Sequence, residues 1–328
     1  MQIREFLNLV CGATLALAAF MQPASAESYP SKPVKIIAPY AAGGGVDIVA
    51  RVLADKMTRS LGQPVIVDNK TGGAGNIGVE AVAKAPGDGY TVSVALSSNL
   101  MINQFLYTKL PYDPQKDLTM VAKVADAPLV LVVNAALPIR NSAELRTYIA
   151  ANKGKLAYGS WGVGTISHMS ASRLSAMLDG DMTHVAYRGE APMMQDLVAG
   201  NIPMSFATGA QAPGFIQSGK LRAIGVTGTS RIPSLPDVPT LAEVGLDDPL
   251  LRAVGWVGVA VPSATPDAVV QKLGVSIEAA VKMPDVQARI RELGWVASFQ
   301  GPAPIRVTYL REAPMWQQVV KRSGAKLD

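Results

Sequence analysis

The chain has 328 residues, 49% of them apolar and 17% charged, with a net charge of +5. That apolar share supplies a packed core and excludes disorder as the main state, and the length points to about two domains. The basic residues are scattered, Arg289/Arg291 and Lys321/Arg322 being the densest pairs, with no aromatic stripe between them; nucleic acid is therefore not an expected partner.

Residues 1–26 read as a secretory signal. Arg4 supplies positive charge, residues 7–20 form a mostly apolar run, and Ala24-Ser25-Ala26 is a small-residue cleavage site. The run is shorter than the roughly 20 apolar residues that span a bilayer. Cys11 follows the large Val10, which argues against a lipid anchor. Removing this segment leaves a net charge of +5 and no cysteine, which excludes disulfides, thiol catalysis and cysteine-ligated metals. The Gram-negative periplasm is the expected compartment.

Strand-like and helix-like patterns then alternate. Residues 34–38 form a β-rich run, 47–61 a helical one, 65–67 a strand, a short helix passes through Val79 and Val82, and 91–96 form a third strand. A second block opens with the apolar strand 129–133 and a helix from Ser142. Strands at 156–160, 183–186, 204–206 and 221–226 follow, with helices at 167–177 and 191–198. Residues 256–261 form one more strand. Val270, Leu273, Ile277 and Val281 then mark a helix face, followed by helices over 285–293 and 305–321, the last with Pro314 as a kink. This alternation predicts two α/β lobes with parallel sheets, and ligands in such folds bind beyond the carboxyl ends of the strands.

The loops at those ends are the candidate site. Tyr40-Ala41-Ala42-Gly43-Gly44-Gly45 opens a helix that Asp47 is placed to cap, and helix starts favour anions. The spacing is neither a dinucleotide nor a phosphate-loop fingerprint. Asn76 belongs to a second glycine loop, and Ser97-Ser98-Asn99 follows the third strand. Ser160-Trp161-Gly162-Val163-Gly164-Thr165-Ile166-Ser167-His168 is the most informative segment. It combines amides at Gly162 and Gly164, hydroxyls at Thr165 and Ser167, an indole at Trp161 and one of only two histidines. Tyr187 and Thr208 follow later strands. With two histidines and no cysteine, no metal and no cofactor are expected. No serine carries a nucleophile-elbow motif, so a secreted hydrolase using Ser97 or Ser98 with His168 is the weaker reading, and binding without turnover the stronger.

These motifs together resemble a known family. Tyr29-Pro30-Ser31-Lys32-Pro33-Val34 opens the match, followed by Pro39-Tyr40 with Gly43-Gly44 and Asp47, and by Leu61-Gly62-Gln63-Pro64-Val65. Gly75-Asn76-Ile77-Gly78, Asp88-Gly89-Tyr90-Thr91 and Leu110-Pro111-Tyr112-Asp113-Pro114 come next. Tyr158-Gly159-Ser160, Gly164-Thr165 with His168, His184-Val185, Leu235-Pro236-Asp237-Val238-Pro239-Thr240 and the ending Gly324-Ala325-Lys326-Leu327-Asp328 complete it. In this order they resemble the substrate-binding proteins of tripartite tricarboxylate transporters, the Bug-type periplasmic receptors.

The resemblance implies a type II periplasmic binding fold, two α/β lobes joined by a hinge with the ligand cleft between them. Lobe 1 is expected over 27–127 and 250–328, and lobe 2 over 128–249. It implies a monomeric receptor that hands a small carboxylate to a two-subunit membrane permease; a sensor serving a membrane signalling partner would share the fold. It implies a carboxylate grip by Gly43 and Gly44 in the first loop and by Gly164, Thr165, Ser167 and His168 in the second, with Asp47 as a water partner. Ala207 and Thr208 stand where the family commonly carries an Asp-Asn pair, and Trp161 replaces a small residue. The lost acceptor leads to an expectation of acids without an ammonium group, and Trp161 to an allowance for aromatic ones.

Overall fold

The computed structural model describes residues 29–328; the expected signal at 1–26 lies outside the described residues. Strand β1 (Val34–Ala38) leads into helix α1 (Gly45–Leu61), which buries Val46, Val49, Leu53 and Met57 at helical spacing. Left-handed Gly62 closes the helix by donating its N–H to the Thr58 carbonyl. Then come β2 (Val65–Asn69), α2 (Asn76–Ala83), β3 (Thr91–Leu96), a π-helical turn (Ser98–Ile102), α3 (Asn103–Leu106) and β4 (Leu118–Ala127). Pro128 separates β4 from β5 (Leu129–Asn134), every residue of which is buried.

The second block holds α4 (Ser142–Ala151), β6 (Ala157–Ser160), α5 (Ile166–Met177), β7 (Thr183–Ala186), α6 (Glu190–Ala199), β8 (Met204–Thr208), α7 (Ala212–Gln217) and β9 (Leu221–Val226). A long connection ends in α8 (Pro249–Arg252), capped by the Asp248 carboxylate through the Leu250 N–H. The chain then runs through β10 (Gly255–Pro262), α9 (Asp267–Val281), α10 (Pro284–Glu292), β11 (Val296–Gln300) and α11 (Pro302–Ser323). Pro314 lies inside α11, which continues past it.

Two sheets result, ordered β11-β4-β10-β3-β1-β2 and β7-β6-β8-β5-β9. Neither is wholly parallel, which corrects the expectation of parallel sheets. β1 pairs parallel with β2 and β3, but β10 runs antiparallel between β3 and β4, and β5 runs antiparallel between β8 and β9. Strands that carry the chain across from the other block enter against the local direction. Both faces of the second sheet are packed: Leu131, Val133 and Phe206 on one side, Val130, Val132 and Met193 on the other. The first sheet's core gathers Leu100, Ile102, Trp256, Tyr309 and Trp316. Among the described residues no helix is long and apolar enough to cross a membrane.

Candidate functional site

The strand ends of the two sheets face a cavity of about 420 Å³. The first sheet's side contributes Tyr40 after β1, Ser98 after β3, Asn103, Leu106, Tyr107 and Trp295; the second contributes Trp161 after β6, Gly164, Thr165, Ile166, Glu190 and Thr208. Pro128 and Gly255, at the two crossings between sheets, complete the wall. A wider depression of about 770 Å³ lies between β4, α9 and α11, and takes its residues from the first sheet's side alone.

The two blocks touch beside this cavity at glycines. Gly164 has φ +75°, and a Cβ there would stand 2.3 Å from the Leu106 side chain. Gly294 has φ +69°, and its Cβ would stand 2.1 Å from the Gly209 backbone. Only a residue without a side chain permits either approach.

The second-block loop is built around the N-terminus of α5. Thr165 is the cap, its hydroxyl accepting from the His168 N–H at 3.3 Å and donating to the Gly162 carbonyl at 2.8 Å. The first-turn amides of Ile166 and Ser167 have no intrahelical carbonyl to reach. His168 is buried, and its Nδ1 accepts the Gly164 N–H at 3.1 Å. Its ring stacks on His184 with centroids 3.8 Å apart, and His184 stacks in turn on Tyr158. Burial, with the neighbouring His184, pushes His168 down to about 4, and burial lowers His184 as well. Both rings are therefore neutral at physiological pH. The expected ligand contact by His168 is replaced by a brace behind the loop. Ser167 is likewise buried, donating to the Phe206 carbonyl at 2.9 Å.

The first-block residues divide the same way. Asp47 was expected as the helix cap, but the cap position is Gly44, and Asp47 sits in the first turn after it. Its carboxylate accepts from Gly43 N–H at 2.8 Å, Arg51 at 2.9 Å and Asn69 at 2.8 Å. Burial alone would raise its pKa; Arg51 and the two other donors outweigh burial and hold it low. These partners occupy the carboxylate expected to hold water. Ala42 and Gly43 are exposed, Gly44 is half-buried, and none of the three lines the cavity. Trp295, which does, packs against Gly45.

Asn76 lies beneath the cavity, its side-chain oxygen accepting from Asn99 at 2.9 Å and Asn103 at 2.7 Å. Tyr40 donates to the Asn99 side-chain oxygen, and burial raises the Tyr40 hydroxyl's pKa. Ser97 is buried and accepts the Trp256 N–H at 3.2 Å, so it makes no pair with His168. Among the described residues the serine hydrogen-bonded to a histidine is Ser160, 2.7 Å from His184 Nε2 and fully buried. A substrate cannot reach it. Tyr187 donates to Asp196 at 2.8 Å and does not line the cavity.

Several lining residues escaped the sequence reading, among them Asn103, Tyr107, Trp295 and Glu190. Trp295 follows a helix rather than a strand. Glu190 opens α6, where an acidic residue reads as a partner of the helix dipole. Its carboxylate accepts from Thr208 N–H at 2.6 Å and Thr208 Oγ1 at 3.0 Å. The expectation of acids without an ammonium rested on the lack of an acceptor near Thr208, and Glu190 supplies one. Among the described residues no three His, Cys, Asp or Glu side chains group as metal ligands.

Comparison with known proteins places this geometry. Residues 49–301 match the model of the tripartite tricarboxylate transporter family receptors. Protein BugT of Bordetella pertussis is 33% identical over 322 residues, covering 98% of each chain. Among solved structures, MatC of Rhodopseudomonas palustris with bound malate is 30% identical at a TM-score of 0.72, covering 89% of this chain and 100% of that one. Another R. palustris protein, solved with adipate, is 30% identical at a TM-score of 0.76, covering 91% and 100%. The chain therefore belongs to the tripartite tricarboxylate transporter receptors, the Bug family of two-lobed periplasmic binding proteins.

Proposed function

We propose that this protein is a periplasmic receptor that binds one small carboxylate between its lobes and delivers it, unchanged, to a two-subunit membrane permease. The observation that carries the reading is the cavity walled by both sheets at their strand ends. The malate and adipate in two relatives support the ligand class. Lobe 1 is taken as residues 27–127 and 250–328, lobe 2 as 128–249, and the receptor acts as a monomer. The signal at 1–26 directs it to the periplasm.

The ligand's carboxylate meets the first-turn amides of α5 beside Gly164 and Thr165, with Ser98, Asn103 and Tyr107 facing it from the other lobe. Hydrogen bonds to a charged group contribute about 1.5–3 kcal/mol each, and micromolar affinity needs only about 8 kcal/mol. Several such bonds suffice without an ion pair. Calorimetric titration of the mature chain with mono-, di- and tricarboxylates, aromatic ones included, tests this. One-to-one binding of at least one acid, with no product formed, is expected; heat without saturation across the panel, or turnover, contradicts it.

A further inference from the structure

The cavity's walls hold a single charged side chain, and it is acidic: no Lys, Arg or His lines the space, and Glu190 does. Each Glu190 oxygen takes one donor from Thr208, the N–H on Oε1 and the hydroxyl on Oε2. A carboxylate offers about four acceptor positions, so each oxygen retains one. Among the described residues no cation acts on it: besides burial, only the two Thr208 donors do. Thr208 thus holds the carboxylate in one orientation while leaving it electrostatically unanswered.

Resting on the reading above, we infer that the ligand carries an ammonium group as well as its carboxylate, and that Glu190 is the residue that receives it. A bare anion in the same half-enclosed space meets a charged Glu190 with no positive group to offset either, unless Glu190 takes up a proton, which its burial favours and its two Thr208 donors oppose. Like charges in a partly enclosed cavity repel more strongly than in bulk water. A zwitterion removes the conflict: its carboxylate takes the first-turn amides beside Thr165, and its ammonium takes the remaining acceptor positions of Glu190. Trp161 and Trp295 line the same cavity and favour a ligand with an apolar or aromatic body between the two charged ends.

The matched pairs aspartate and succinate, leucine and 4-methylpentanoate, and phenylalanine and 3-phenylpropanoate each differ by one ammonium group. In calorimetric titrations of the wild-type mature chain, the amino acid of the best-bound pair should bind at least about tenfold tighter than its deaminated partner. Glu190→Gln keeps the volume and an acceptor for Thr208 but removes the charge. It should shrink that ratio about tenfold or reverse it, with the melting temperature checked in parallel. Equal or tighter wild-type binding of the deaminated acids overturns the inference and leaves the carboxylate receptor standing. A ratio unchanged in Glu190→Gln overturns the role of Glu190. Failure of every acid, with and without ammonium, removes the receptor reading and this inference with it.

Discussion

Thr165 illustrates how a side chain at a binding loop serves the loop first. Its one hydroxyl proton goes to the Gly162 carbonyl and its lone pair to the His168 N–H, so it holds the end of α5 rather than reaching into the ligand as a donor. Thr165→Ala should lower stability by about 1 kcal/mol, the usual effect of losing a cap, and weaken acid binding through a loosened helix start. Thr165→Ser keeps the cap and should keep both. Thermal melts and titrations of the two variants check this; an Ala variant as stable as wild type removes the capping account. The glycines and hydroxyls of this loop were legible in the sequence because their spacing announces a helix start. The roles of Asp47, Ser167 and His168 were not, because a polar residue in a loop motif looks the same whether it faces a ligand or a buried neighbour. Glu190 was hidden for a different reason: its partner Thr208 is eighteen residues away, beyond any local pattern.

At the scale of elements, the stacked His168–His184 pair couples α5 to β7 and carries a pH dependence with a definite sign. Both imidazoles are held below the ordinary histidine value, His168 at about 4. In the unfolded chain they take up protons near pH 6.5. Their contribution to stability is therefore full above about pH 6.5 and is lost progressively as pH falls towards 4. Urea unfolding at pH 7.5 and pH 5 should show a lower midpoint at pH 5, and His184→Phe should reduce the difference. Equal midpoints for the wild type contradict the buried stack. Strands such as 91–96 and 221–226 were legible because apolar β-branched runs announce themselves. β4 was not: Lys123 and Asp126 interrupt its pattern, although Lys123 is buried and pairs with Asp126 at 2.8 Å. β11 was missed as well, being short and half-buried throughout. Because β4, β10 and β11 run antiparallel, the mixed character of the first sheet followed from elements and directions that alternation alone does not reveal.

At the scale of the molecule, the two-lobe architecture was legible from the alternation and from the family motifs, while the contacts between lobes depend on glycines that sequence alone does not pair. Gly164 meets Leu106 and Gly209 meets Gly294, and both contacts border the cavity that the ligand is proposed to fill. A ligand gripped from both sides stabilises this closed arrangement relative to one in which the lobes stand apart. A Cβ at Gly294 strains a left-handed backbone and strikes Gly209, so Gly294→Ala should oppose closure. The most direct measurement is small-angle scattering of the mature chain with and without a saturating concentration of the acid that titration shows to bind best. The radius of gyration should fall on binding in the wild type and fall less in Gly294→Ala. Superimposable wild-type profiles with and without bound acid would contradict a ligand held between the lobes.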